Sequence, residues 1–216
     1  MKFLPILFLA FILPVYSQSS QASARAMEIY LIGRELESRG RTQEANAYYS
    51  EAIRVCTEEI SRNTANRDIY TALTWALQRQ GNYRDVIIWG ERGLKLYADE
   101  YRIMETMGEA YFYIDDYGNS LRLFQRFVNS LPRDERVPVA YFFIGEIYRL
   151  EGKYRVADMA YSTAVRLQPG IALWWYRLGL AREYSGETQY AADAYTRALV
   201  INPGYQAASE GLARVR

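Results

Sequence analysis

The residues that most often carry out chemistry are scarce in this chain. There is no histidine, and the single cysteine is Cys56. A nucleophilic thiol or hydroxyl needs a neighbouring base to take its proton, and imidazole is the usual one. Metal sites recruit histidine or clustered cysteine, and neither is available. Carboxylates stand side by side at Asp115-Asp116, Glu58-Glu59 and Asp134-Glu135. The first pair falls at an expected turn between helices, where acidic residues cap the N–H groups of the helix that follows. The other two pairs read as solvated charge. No glycine-rich phosphate loop is present. The expectation is a non-enzyme, with no catalytic residue, no cofactor and no metal ligand to assign. Cys56 has two readings: a small buried apolar residue, or half of a disulfide between chains.

The chain is instead rich in tyrosine and arginine. It has twenty tyrosines, and its basic side chains are nearly all arginine, because lysine occurs only as Lys2, Lys95 and Lys153. Arginine forks onto carboxylates and stacks on aromatic rings. A genomic bias toward arginine codons would give the same counts. The formal charge of +1 exerts no long-range pull on nucleic acid or on an anionic membrane. With 216 residues, half of them hydrophobic and 24% charged, the composition is globular. It suffices for one large domain or two small ones.

The N-terminus reads as a targeting signal. Lys2 supplies the positive start, and residues 3–15 form an apolar run interrupted by Pro5 and Pro14. That run is shorter than the roughly 20 residues a bilayer span needs. Small residues follow, with cleavage expected after Ser17, or as late as Ala24. No cysteine lies nearby, so a lipoprotein anchor is not indicated. The alternative is an uncleaved N-terminal anchor.

Beyond residue 25 the sequence repeats. Residues 141–169 and 175–203 match at an offset of 34: Gly145 with Gly179, Gly152 with Gly186, Ala157 with Ala191, Tyr161 with Tyr195, Ala164 with Ala198, and Pro169 with Pro203. Each copy reads as two antiparallel helices. Gly179 and Ala191 are small so that the helices can approach. Tyr195 and Ala198 fill the space toward the neighbouring unit. Gly186 ends the first helix with a positive φ at no steric cost. Pro203 stops the second, which it cannot continue. One unit cannot bury its apolar face alone, so the core requires stacking.

These residues, Trp175, Leu178, Gly179, Ala191, Tyr195, Ala198 and Pro203, resemble the tetratricopeptide repeat. Weaker copies precede them. The third carries Met107, Gly108, Ala110, Tyr111, Tyr117, Phe124 and Pro132, with Ser120 where alanine is usual. The second carries Tyr70, Leu73, Ala76, Gly81, Tyr83 and Leu94, but Thr74 replaces the first-helix glycine, Gly90 the aromatic and Ala98 the proline. The first carries Ile32, Gly33, Gly40, Ala45, Tyr49 and Ala52. The resemblance spans residues 26–204 as five units: 26–59, 67–100, 101–134, 138–171 and 172–205. It implies an all-α, right-handed superhelical solenoid of antiparallel helix pairs. Residues 206–216, with Ala207, Ala208, Leu212 and Val215, form an amphipathic capping helix.

The period is broken twice. Gly108 to Gly145 is 37 residues, which places about three extra in 133–138. Gly40 to Gly81 is 41, and the seven extra residues extend the second helix of the first unit by about two turns. That extension is either a contact feature or a tolerated insertion.

In proteins of this family the first helix of each unit lines a concave groove. Carried over by position, the groove receives Tyr30, Arg34 and Glu37 from the first unit. It receives Thr71, Trp75 and Arg79 from the second, and Arg102, Glu105, Glu109, Phe112 and Tyr113 from the third. Phe142, Glu146 and Arg149 come from the fourth, and Leu173, Tyr176, Leu180 and Tyr184 from the fifth. Aromatic residues and arginine are the usual anchors of interfaces; single rings here could instead pack between units. Some chaperone-binding members clamp a terminal carboxylate with Lys and Asn, and this set contains neither. The resemblance implies a non-catalytic adaptor that takes a protein or peptide in its groove, and the targeting signal leads to the expectation of a bacterial periplasm or cell envelope. It implies no nucleic acid partner and no membrane span once the signal is removed. Two other classes stay open: a small-molecule-binding component of an envelope transport system, and a homo-oligomeric structural protein.

Overall fold

The computed structural model describes residues 9–216, with side chains described from residue 20. Of the targeting signal expected over residues 1–17, residues 1–8 lie outside the described ones. The described residues form eleven helices and no strand. They are α1 (Leu9–Ser38), α2 (Thr42–Ser61), α3 (Arg67–Arg79), α4 (Tyr83–Leu96), α5 (Tyr101–Tyr113), α6 (Tyr117–Ser130), α7 (Val137–Leu150), α8 (Tyr154–Leu167), α9 (Ala172–Tyr184), α10 (Thr188–Ile201) and α11 (Gln206–Val215). The fold class is all-α, built from helix pairs joined by tight turns. The chain divides after Ile114 into two compact units.

The turns inside the pairs share one mechanism. α1 and α2, α3 and α4, α7 and α8, and α9 and α10 are each joined by three residues. Gly40, Gly81, Gly152 and Gly186 adopt φ of +75°, +73°, +73° and +84° there. This left-handed step lets the next N–H reach back to a carbonyl of the last helical turn, as Arg41 does to Leu36 (2.9 Å) and Glu187 to Arg182 (2.9 Å). Asp115 takes the glycine's place between α5 and α6 with φ +63°. Asp116 behind it caps α6, its carboxylate accepting from the Asn119 N–H at 3.1 Å.

In the first unit, α1 packs on α2 and α3, and α3 on α4 and α5. Gly33 of α1 faces the Tyr49 ring of α2; a Cβ there would stand 2.6 Å from the ring. Tyr49, Ala45, Ala52, Tyr30 and Ala76 form a buried cluster around this contact. α2 is 20 residues long against 14 for α4, and the loop after it has one residue more than the loop after α4. These differences account for the seven-residue break in period. The extra turns end at Asn63, a second non-glycine residue with positive φ (+57°).

In the second unit, α7 packs on α6 and α8, and α9 on α8, α10 and α11. Gly145 meets Tyr161 and Gly179 meets Tyr195 as Gly33 meets Tyr49. Tyr161 and Tyr195 are fully buried, each inside its own hydrophobic cluster. α11 closes the end of this unit. Its Gly211 lies against the far side of the Tyr195 ring, where a Cβ would stand 2.6 Å away. Arg214 forks onto Glu183 of α9, with Nε donating at 2.7 Å and Nη2 at 2.9 Å. The six-residue segment between α6 and α7, against four between α8 and α9, holds most of the second break in period.

Candidate functional site

On the first unit, Tyr30 is buried and packs between Tyr49 and Trp75, at centroid distances of 5.9 and 5.4 Å. Its hydroxyl accepts from Arg34 Nη1 at 3.2 Å. Trp75 is half-buried, and its indole N–H is enclosed with no hydrogen-bond partner. The Arg102 guanidinium lies 5.9 Å from the Trp75 ring. It is held there by Glu100, which accepts from Nε at 2.7 Å, and by Asp68, which accepts from Nη2 at 2.7 Å. Arg79 lies 3.7 Å and Arg34 3.9 Å from one Glu37 oxygen, so two cations share one carboxylate. That carboxylate also accepts from the Tyr49 hydroxyl at 2.8 Å. Glu109 accepts from Gln78 at 2.6 Å. Phe112 meets Tyr113 edge-on at 5.6 Å, and Tyr113, half-exposed, stacks on Tyr83 at 4.7 Å. Thr71 and Glu105 are buried.

On the second unit, Phe142 stacks on Trp174 at 5.3 Å and lies 5.8 Å from Tyr161, so its ring fills space between α7, α8 and α9. Leu180 is buried. Tyr176 is half-buried, 5.9 Å from Tyr195 and 5.2 Å from Tyr205. Tyr184 is 62% exposed and stacks on Tyr154 at 4.9 Å. Tyr83 with Tyr113, and Tyr154 with Tyr184, are thus equivalent pairs.

Glu146 is the most heavily engaged side chain of this unit. It is buried on α7 and accepts from the Tyr161 hydroxyl and from Arg149 (Nη2 at 2.9 Å). Arg177 Nε lies 3.0 Å away. Burial first, then the neighbouring Glu146 carboxylate, push the Tyr161 phenol far above its ordinary value. Tyr195 is raised in the same way by burial and Glu183, and Tyr49 by burial and Glu37. The motif alters between copies. Glu37 and Glu183 stand four residues after the repeat glycine, whereas Arg149 takes that position in α7 and Glu146 replaces it from one residue after the glycine.

Arg177, Trp174 and Tyr205 are absent from the residues picked by position. Arg177 and Trp174 of α9 reach Glu146 and Phe142 of α7, and Tyr205 precedes α11. The adjacency of Tyr176 and Arg177, and a tyrosine just before the capping helix, were the signals available in the sequence.

Residues 138–171 match the tetratricopeptide repeat family model. The chain carries a tetratricopeptide repeat there. Its fold is that of tetratricopeptide repeat proteins of known structure. It is similar to a MamA double mutant of strain RS-1 at 20% identity and a TM-score of 0.67, over 84% of this chain and 96% of that one. It is similar to MamA (41-end) from Desulfovibrio magneticus RS-1 at 21% identity and 0.62, over 84% and 97%. It is also similar to YrrB, described as a TPR protein with an unusual peptide-binding site, at 18% identity and 0.58, over 86% and 90%. A search by sequence finds no matching curated protein. Among the described residues of this repeat protein, no helix is long and apolar enough to cross a membrane.

Proposed function

We propose that this repeat protein is a non-catalytic adaptor of the bacterial periplasm or cell envelope that binds a peptide or helix on the first-helix faces of its repeats. The observation that carries the reading is a division of labour among its aromatic residues. The repeat's own rings, Tyr49, Phe124, Tyr161 and Tyr195, are buried. Tyr113 and Tyr184, which the repeat does not require, remain 49% and 62% exposed. Exposed aromatic rings beside arginine are typical interface anchors. Export rests on the apolar N-terminal run and the small residues after it.

The test is recovery of a stoichiometric partner from envelope extracts with the tagged chain. Arg79→Ala, Tyr113→Ala and Tyr184→Ala should each weaken recovery while leaving the helical circular dichroism unchanged. Undiminished recovery with all three would sink the assignment of the binding face.

A second reading is favoured by α1. Met27, Leu31, Ile32 and Leu36 line an apolar groove along it, and Leu31 is 56% exposed. Exposed apolar surface of this kind serves association. Self-association through it predicts a light-scattering mass that is a multiple of the monomer mass and drops in Leu31→Glu.

A further inference from the structure

The seam between α8 and α10 carries a charged side chain where the other copies of the repeat are apolar or aromatic. Arg182 of α9 stands at the position held by Leu36, Leu77, Tyr111 and Tyr148 in the four preceding copies. Both second helices fix it there. Its Nε donates to Asp158 Oδ1 at 3.1 Å and its Nη2 to Ser162 Oγ at 3.3 Å, both on α8. Its Nη1 donates to the Tyr190 carbonyl of α10 at 3.3 Å. A partly buried ion pair adds little to stability over the apolar packing it replaces. Arg182 instead forms part of the wall of a cleft of about 570 Å³, inside the roughly 300–1,000 Å³ of small-molecule sites.

Two kinds of surface line that cleft. Tyr190 and Met159 are 59% and 72% exposed. Arg155 and Glu187 are exposed and make no ion pair among the described residues. Asp158 Oδ1 is taken by Arg182 and Ser162, while its Oδ2 accepts from no described group. The two arginines and two carboxylates sum to no net charge, so the cleft selects neither an anion nor a cation. It offers an aromatic ring, free acceptors and free donors side by side. A pyranose has the matching surface. Its C–H groups are drawn to the negative face of an aromatic ring, and its rim of hydroxyls both donates and accepts. A carboxylate or a phosphate would meet Asp158 and Glu187 as well as the arginines.

We propose that this cleft binds a neutral saccharide, with one sugar ring on Tyr190 and its hydroxyls shared among Asp158, Glu187 and Arg155. None of these residues belongs to the first-helix set, so the site is distinct from the proposed partner-binding face and does not depend on it.

Cellotetraose, maltotetraose and chitotetraose serve as neutral probes for the full chain, and a sulfated tetrasaccharide as the charged one. Calorimetry should show at least one neutral probe binding with a Kd of about 1 mM or tighter, and the sulfated one at least about tenfold weaker. Tyr190→Ala and Glu187→Gln, both at exposed positions, should each weaken the bound sugar by about tenfold or more. Arg182→Tyr, which restores the residue of the preceding copy, should abolish binding with the helical circular dichroism unchanged. Tyr113→Ala, on the first unit, should leave it as it was. Retention of the chain on an insoluble polymer of the same sugar identifies a glycan strand as the source; binding of the soluble tetrasaccharide alone identifies a free sugar. Failure of all three neutral probes at about 10 mM overturns the proposal. So does a sulfated probe that binds as tightly, or sugar binding that survives both Tyr190→Ala and Arg182→Tyr. Neither result bears on the partner-recovery test.

Discussion

Gly90 of α4 and Met107 of α5 compete for one volume: a Cβ at residue 90 would stand 2.5 Å from both Cγ and Sδ of Met107. In three other pairs the small residue is on the first helix and the ring on the second, as with Gly179 and Tyr195. In α3 and α4 the sizes are exchanged. Thr74 stands at the glycine position, its hydroxyl satisfied by the Tyr70 and Thr71 carbonyls at 3.0 Å. Gly90 stands at the ring position, and Met107 from the next helix fills the space. The departure from the repeat pattern is therefore compensated.

The two kinds of contact should respond differently to a methyl group. Tyr195 is trapped between Gly179 and Gly211 with its hydroxyl on Glu183. Gly179→Ala should cost about 1–3 kcal/mol, the usual penalty of overpacking. Met107 has freely rotating bonds and can yield, and alanine gains about 1 kcal/mol of helix propensity over glycine. Gly90→Ala should be close to neutral. Urea unfolding midpoints check this; equal losses would show Met107 to be held as rigidly as Tyr195.

Asp115 is strained where its four counterparts are glycine. Asp115→Gly should stabilise the chain by up to about 1 kcal/mol, and Gly186→Ala should destabilise it by about 1 kcal/mol or more. Thermal unfolding of the two variants should move in opposite directions. Loss of the exposed Tyr117 hydroxyl contact to Asp115 (2.7 Å) subtracts little from the first.

Stability should fall at both extremes of pH. The Arg214 fork and the Tyr195 hydroxyl hold the Glu183 carboxyl below its ordinary value of 4.5. Its contribution is complete above that value and is lost as pH falls through the lower, folded value. Arg214→Ala should reduce this acid dependence and speed hydrogen exchange in α11. Tyr49, Tyr161 and Tyr195 are raised above 10.0 by burial and neighbouring carboxylates. Their contribution is complete below pH 10 and is lost as pH rises toward the folded values. Tyr195→Phe should flatten part of the alkaline limb of the unfolding curve.

Cys56 should be inert in the folded chain. It is fully buried, and burial, with Glu59 second, pushes its thiol up to about 12. A thiol reagent at pH 8 should leave it unmodified until urea unfolds the chain. Rapid labelling of the native protein, or a disulfide-linked dimer on non-reducing gels, would contradict this. Of the two readings of Cys56 in the sequence, its burial supports packing.

The exposure of the residues assigned to the groove by position was legible to differing degrees. Tyr113 and Tyr184 could be picked by position because helical periodicity fixes which face of a first helix they occupy. Periodicity does not report depth. Tyr30 and Leu180 occupy groove positions and are nevertheless buried, because rings and helices from adjoining elements cover them. Nor does it report partners. Nothing in residues 141–184 marks Glu146 as the carboxylate shared by Tyr161, Arg149 and Arg177, since these four come from three helices.

By itself, the sequence determined the helix pairs, their turns and the two breaks in period. Those features are local: a glycine that accepts positive φ, a proline that ends a helix, a small residue opposite a ring, and a count of residues per turn. Tertiary structure alone decided which arginine meets which carboxylate, which rings are core and which are exposed, and that Met107 fills the space of the missing ring at Gly90. Each of these depends on distances between side chains far apart along the chain, and only packing sets those distances.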